Sequence, residues 1–296
     1  KTFRRATFAV ILCSSYPMLI VGCYFGLIPW NMERLQIDES DLGFAILTFG
    51  VSFLISNQVA GRFLVPKFGT KKIMTIGIVI ISLSNIVLVS APEYYILVLA
   101  HIPAGIGWGS SGPIGGIHAQ LIEKHSGKII SPYYAMGFNI GIFVGGILAG
   151  FILGNEIYPT FIFFILFFTS IFISIIVYIN GLPKDLDFKG EGEKLKLPEK
   201  NVLIFGFLLF VIFGSNGIII DWSALWFTKE LDAPLYLASL GLIFLSLGGI
   251  FANLFSNQLI NLFSEKVVGC YFVIFGSILL FSSIIIANFY LILATF

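Results

Sequence analysis

The sequence predicts an all-α polytopic membrane protein, and three observations carry that prediction. The first is composition: 57% of the 296 residues are hydrophobic and 11% charged, with a mean hydropathy of +0.98, whereas a soluble domain carries about a quarter charged residues. The second is spacing. Apolar runs of about 18 residues or more, long enough to cross a bilayer as helices, cover residues 8–30, 42–61, 73–90, 95–122, 129–153, 160–182, 202–227, 235–256 and 267–286, and another begins at 289. The third is the placing of charge, since every Lys, Arg, Asp and Glu lies at the end of a run or between runs.

That placing is lopsided. With the N-terminus in the cytoplasm, Lys1, Arg4, Arg5, Arg62, Lys67, Lys71, Lys72, Lys124, Lys128, the lysines from Lys184 to Lys200 and Lys266 fall on the cytoplasmic side, and only Arg34 and Lys229 on the other. Such a positive-inside pattern predicts a multi-pass protein of the inner (plasma) membrane with a cytoplasmic N-terminus. The opposite side is acidic, with Glu33, Asp38, Glu39, Asp41, Glu93, Glu156, Asp221, Glu230 and Asp232.

The first run follows Lys1, Arg4 and Arg5 but is too long for a signal peptide and has no small-residue cleavage site. The second closes on a basic connection holding Gly61, Arg62, Lys67, Gly69, Lys71 and Lys72, and its pattern returns later. Leu42-Gly43 and Gly50 reappear as Leu240-Gly241 and Gly248, and Phe68-Gly-Thr-Lys71 as Phe263-Ser-Glu-Lys266. Gly22 and Trp30 are eight apart, as are Gly214 and Trp222. The matches keep their order, as a parallel duplication requires. After the sixth run, alternating Lys, Asp, Glu and Gly between Pro183 and Pro198 mark a polar linker. The predicted division is a six-helix bundle over 1–182, a cytoplasmic linker over 183–201, and a partial second bundle of three helices and the start of a fourth over 202–296. Lys1 is not an initiator Met and the last residues are still apolar, so the chain is expected to be a fragment.

The runs differ in polarity. The sixth is apolar all round, as a lipid-facing helix is, and the third and ninth nearly so. The fourth holds His101, Pro103, Trp108, Ser110, Ser111, Pro113, His118 and Gln120 among six glycines. The first holds Ser14, Ser15, Tyr16, Pro17 and Tyr24, and the seventh Gly214-Ser215-Asn216-Gly217. Backbone freed by Gly and Pro is tolerable at membrane depth only against protein or cavity water, so runs one, four and seven are expected to surround a pathway. Gly105, Gly109 and Gly112, with the Gly141-x-x-x-Gly145 and Gly146-x-x-x-Gly150 pairs of run five, also suit close helix packing.

Three single residues carry two readings each. Asn139 is either an interhelical clasp or a ligand contact. His101 is either proton-sensitive, since imidazole titrates near neutral pH, or a hydrogen-bonded packing residue. Asp221 either faces a cavity, where it can take a proton or a polar substrate, or is an interfacial residue beside Trp222 and Trp226. No acid lies at the middle of any run. Other function classes find no support. There is no basic patch on a polar face for nucleic acid, and Cys13, Cys23 and Cys270 sit within apolar runs as packing thiols. No Ser/His/Asp set, phosphate loop or H-E-x-x-H spacing points to an enzyme, a metal or a cofactor.

The six-helix half, charged linker and second half resemble the major facilitator superfamily, and the turn after run two resembles its cytoplasmic signature G-x-L-a-D-r-x-G-r-k. Counting back from Gly69, Lys67 fills the basic position and Lys71-Lys72 the closing pair. Pro66 stands where the signature has its acid and Gly61 is one residue early, so the charge-relay role of that acid has no carrier at this position. The stretch His118-Ala-Gln-Leu-Ile-Glu123, Ser131-Pro-Tyr-Tyr-Ala135 and Asn139-Ile-Gly141, with Asp221-Trp-Ser-Ala-Leu-Trp226, resembles a bacterial inner-membrane permease branch distantly related to fucose/proton symporters.

The resemblance implies about nine complete helices of an expected twelve, and alternating access by two bundles rocking about a site formed by runs one, four, seven and ten. The expected function is secondary active transport of a small polar solute, a sugar being one candidate, with protons as the candidate coupling ion. Tyr24, Trp108 and Trp222 are expected to stack on the solute, and Asn139 and Asn216 to hydrogen-bond it. His101 and Asp221 are the proton-coupling candidates, and Gly61, Arg62, Lys67, Gly69 and Lys71 form the loop through which conformational change works. The expected partners are the solute and the bilayer, with the protein acting as a monomer. The alternatives are efflux of amphipathic compounds through an aromatic cavity and a solute sensor that keeps the fold without transport.

Overall fold

A computed structural model describes residues 2–187, 199–285 and 292–293. Most of the predicted linker and most of the tenth run lie outside them. All regular structure among the described residues is helical: α1 (Thr2–Gly26), α2 (Ile28–Leu35), α3 (Glu39–Val59), α4 (Val65–Phe68), α5 (Thr70–Ser90), α6 (Tyr94–Ser126), α7 (Ser131–Gly154), α8 (Pro159–Asn180), α9 (Lys200–Lys229), α10 (Leu240–Phe263) and α11 (Glu265–Ile285). Among the described residues, seven stretches are long and apolar enough to cross a membrane. The polar, glycine-rich α6 and the shorter apolar stretch of α11 account for the other two predicted runs.

The basic connection differs from the expected loop. Gly61 and Arg62 lie in a π-helical turn over Ala60–Leu64 that continues α3, and Lys67 lies on α4, so one helix runs from Glu39 to Phe68. Pro66 explains this. It has no N–H and crowds the carbonyl four residues earlier, and a widened turn, in which Val65 N–H bonds Ala60 O, absorbs the strain without ending the helix. The turn proper is Gly69, with φ +82° and ψ 157°. Its sequence counterpart Ser264 adopts φ +72° and ψ 155°, a conformation that costs a non-glycine residue about 1–3 kcal/mol.

α1 packs against α5, α6, α7 and α8, α6 holds α3 and α5, and α10 packs on α7 and α9. Glycine lets the backbones meet. A Cβ on Gly141 or Gly145 would run into the Ser15 or Leu19 carbonyl of α1, while one on Gly146 would lie 2.9 Å from Ile243 of α10. The two small-residue pairs of α7 therefore serve two different neighbours. On α6, Gly105 and Gly109 abut the α3 backbone at Phe49 and Phe53, but Gly112 instead accommodates the ring of Trp108.

Two outcomes test this account by thermal unfolding in detergent. Gly145→Leu lowers stability by about 1–3 kcal/mol or more, as overpacking does, whereas Gly206→Leu, with nothing within 4 Å of the added Cβ, leaves the melting temperature unchanged. Ser264→Gly raises it by relieving the strained backbone, an effect of about 1 kcal/mol.

Candidate functional site

The bundle has a lysine-rich end, where α1 begins and α6 finishes, and an acidic end. Near the acidic end a cavity of about 50 Å³ lies between Tyr24 and Phe25 of α1, Phe49 of α3, Asn85 and Leu88 of α5, His101 of α6 and Asp221 of α9. Tyr24, His101 and Asp221 thus meet. His101 Nδ1 is 2.8 Å from Leu97 O. A carbonyl only accepts, so Nδ1 carries the proton and Nε2 is the acceptor that faces the Tyr24 hydroxyl at 3.3 Å. Asn85 donates to Ile81 O at 2.8 Å, yet its Oδ1 is buried without a hydrogen-bond partner. A water fills about 30 Å³ and solute pockets about 300–1,000 Å³, so this conformation has room for a water or a proton and none for a solute.

Asn85 sits in a run that looked almost wholly apolar, and the available signal was a single amide among aliphatic residues. Above the cavity Asn31 donates to Leu88 O at 3.1 Å and Arg34 to Asn31 Oδ1 at 2.7 Å, which ties α2 to the end of α5. Two further contacts join the chain before and after the linker. Lys229 pairs with Glu39, and Ser239 donates to Gly146 O at 2.7 Å.

The other predicted contact residues lie elsewhere. Trp108 packs on Phe138 with ring centroids 6.0 Å apart, and Trp222 packs against the main apolar core. Asn139 bonds Ala135 O of its own helix at 3.0 Å and presses on Gly249 of α10, where a Cβ would lie 2.5 Å from its Oδ1. Asn216 is exposed. It lies five residues before Asp221, which turns it about 140° round the helix from the cavity. A groove of about 620 Å³ between α3 and α6 is larger, but its lining is almost wholly apolar and lies on the flank of the bundle.

At the lysine-rich end Thr70 gives both its N–H, at 3.2 Å, and its hydroxyl, at 2.5 Å, to Asp187. His118 Nε2 accepts from Leu182 N–H at 3.1 Å, so Nδ1 carries the ring proton toward the Thr70 hydroxyl at 2.7 Å. A carboxylate at the first N–H of α5 satisfies that donor and complements the helix dipole. Pro66 stands at the signature's acidic position, and the acid beside Gly69 is Asp187, from the residues after α8. Gly69 is held open by the same group, because a Cβ there would lie 2.5 Å from Asp187 Oδ2. Lys67 and Lys71 stand over the Phe68 and Tyr178 rings.

Comparison with known proteins agrees with this architecture. A family model described as Major Facilitator Superfamily matches residues 10–296. An uncharacterised MFS-type transporter of Yersinia pestis is 25% identical over 212 residues, covering 68% of this chain and 52% of the relative. Multidrug resistance protein 2 of Bacillus subtilis is 25% identical over 154 residues, covering 50% and 38%. The quinolone resistance protein NorA of Staphylococcus aureus is 28% identical over 137 residues, covering 46% and 33%. The chain spans about half the length, or less, of these relatives. With helices in the predicted order and a family model matched from residue 10 to residue 296, the chain belongs to the Major Facilitator Superfamily.

Proposed function

We propose that this member of a transporter family is a proton-coupled exporter of small amphipathic compounds, with its lysine-rich end in the cytoplasm. One observation carries the reading: Asp221, from the chain after the linker, lines the same small cavity as the Tyr24–His101 pair from the chain before it. A proton-accepting acid and an imidazole whose Nε2 accepts from Tyr24 are then shared between two parts that move apart in alternating access. Taking up a proton changes the charge at their junction, which favours one arrangement over the other. Contacts between the two parts gather toward the acidic end, which supports an arrangement open toward the lysine-rich end.

The cargo class rests on the lining, in which Val21, Phe25, Ile46, Phe49 and Leu88 outnumber the polar groups, and on relatives whose names record multidrug and quinolone resistance. A polar solute such as a sugar is the second reading. The unpartnered Asn85 Oδ1 favours it, since a hydroxyl would satisfy that atom.

Proteoliposomes carrying an imposed pH gradient test the proposal, with a fluorescent quinolone as probe. The intact protein accumulates the probe, and Asp221→Asn reduces gradient-driven accumulation to the level of empty vesicles while probe exchange without a gradient persists. Unchanged accumulation in Asp221→Asn overturns proton coupling through this cavity, and competition by sugars in place of amphipathic amines selects the second reading. Asn85→Leu is expected to raise the melting temperature, since leaving a buried acceptor unpaired costs about 1–3 kcal/mol, and to lower transport.

A further inference from the structure

We propose that a second pocket, at the lysine-rich end and separate from the transport cavity, binds the phosphate headgroup of an anionic phospholipid. The pocket encloses about 460 Å³ between Phe68, the start of α5, Tyr178 of α8 and the chain that follows α8. Lys67, Lys71, Lys72 and Lys184 line it, against the one carboxylate of Asp187. That carboxylate is engaged by the N–H and hydroxyl of Thr70. Among the described residues the ion pair is Lys229 with Glu39, and none of the four lysines takes part in one.

Their arrangement is specific. The ammonium groups of Lys67 and Lys72 each stand 5.2 Å from the centre of the same Phe68 ring, and that of Lys71 stands 4.9 Å from the Tyr178 ring. The rings attract each cation, but the pocket also gathers four like charges around the single carboxylate of Asp187. An oxyanion set among the ammonium groups offsets their repulsion. The N-terminus of α5 adds its partial positive charge at the same place.

The rim decides between a lipid and a free phosphate. Phe68 and Tyr178 are 43% and 49% exposed, and Phe63 and Ile179 in the adjoining turns 67% and 70%. A cationic floor edged by apolar side chains at the end of a membrane helix matches a molecule with a phosphate and acyl chains, and basic pockets between membrane helices take such headgroups. Inorganic phosphate would use the floor alone.

Thermal unfolding of the detergent-purified protein, titrated with short-chain phosphatidylglycerol, tests the assignment. The lipid is expected to raise the melting temperature at concentrations where short-chain phosphatidylcholine and inorganic phosphate do not. Lys67→Gln with Lys72→Gln weakens the response by about fivefold per lysine removed, while Lys124→Gln with Lys128→Gln, at the same end but outside the pocket, leaves it intact. Should the double variant fail to fold, the exposed Lys184→Gln gives the same comparison. An equal response to phosphatidylcholine, an equal loss in the Lys124/Lys128 variant, or an equal shift with inorganic phosphate each overturns a lipid-headgroup site.

Discussion

Hydrocarbon offers no hydrogen-bond partner, and every polar group carried into it must find one within the protein. Many of these helices settle the matter locally. Ser82, Ser84 and Ser111 return their hydroxyls to the carbonyl four residues back, and Asn253 does the same with its amide. What cannot be settled locally collects between helices. Ser56 reaches Ile106 O and Ser110, Tyr16 reaches Leu166 O, and Tyr24 reaches His101. The polar interior is thus a set of inter-helix clasps, and among the buried atoms left without a partner, Arg34 Nε, Thr160 Oγ1, Ser223 Oγ and Asn85 Oδ1, the last belongs to a residue lining the cavity beside Asp221.

The two ends of the bundle solve different problems. At the acidic end, side chains from distant parts of the chain are drawn together: Arg34 and Asn31 hold the end of α5, and Lys229 holds Glu39. At the other end a single run of bonds, Leu182 to His118 to Thr70 to Asp187, ties α5, α6 and the residues after α8. Both nitrogens of His118 are committed, so the ring acts as a spacer of fixed tautomer.

The helices, their order and the glycine contacts of α7 were legible in the sequence, because length, apolarity and small-residue spacing are local properties. The π-helical turn before Pro66 was not. A proline after a glycine and an arginine reads as a break, and only the continuing stretch from Val65 to Phe68 shows that the helix widens instead. The site was legible in part. Tyr24, His101 and Asp221 stood out as polar residues in apolar runs, but Asn216 stood out equally and lies elsewhere, since its direction depends on where Asp221 points round the same helix. Asn85 was obscured by its neighbours, and Asp187 by a linker whose composition predicts solvent. Gln36 and Asp232 were overlooked as well. Each follows the helix before a corresponding turn, with φ +53° and +49°, a correspondence that lives in the backbone rather than in residue type.

α7 presents Gly137, Gly141 and Gly145 to α1, and Gly146, Gly150 and Gly154 toward Ser239, Ile243 and Tyr236. The first seam is tight, with main chain against main chain and no slack. The second is made by side chains: Ser239 donates to Gly146 O, and Asn139 packs on Gly249. α7 therefore meets its two neighbours in different ways, main chain on main chain toward α1 and side chain into glycine toward α10, where Asn139 seats on Gly249 and Ile243 on Gly146.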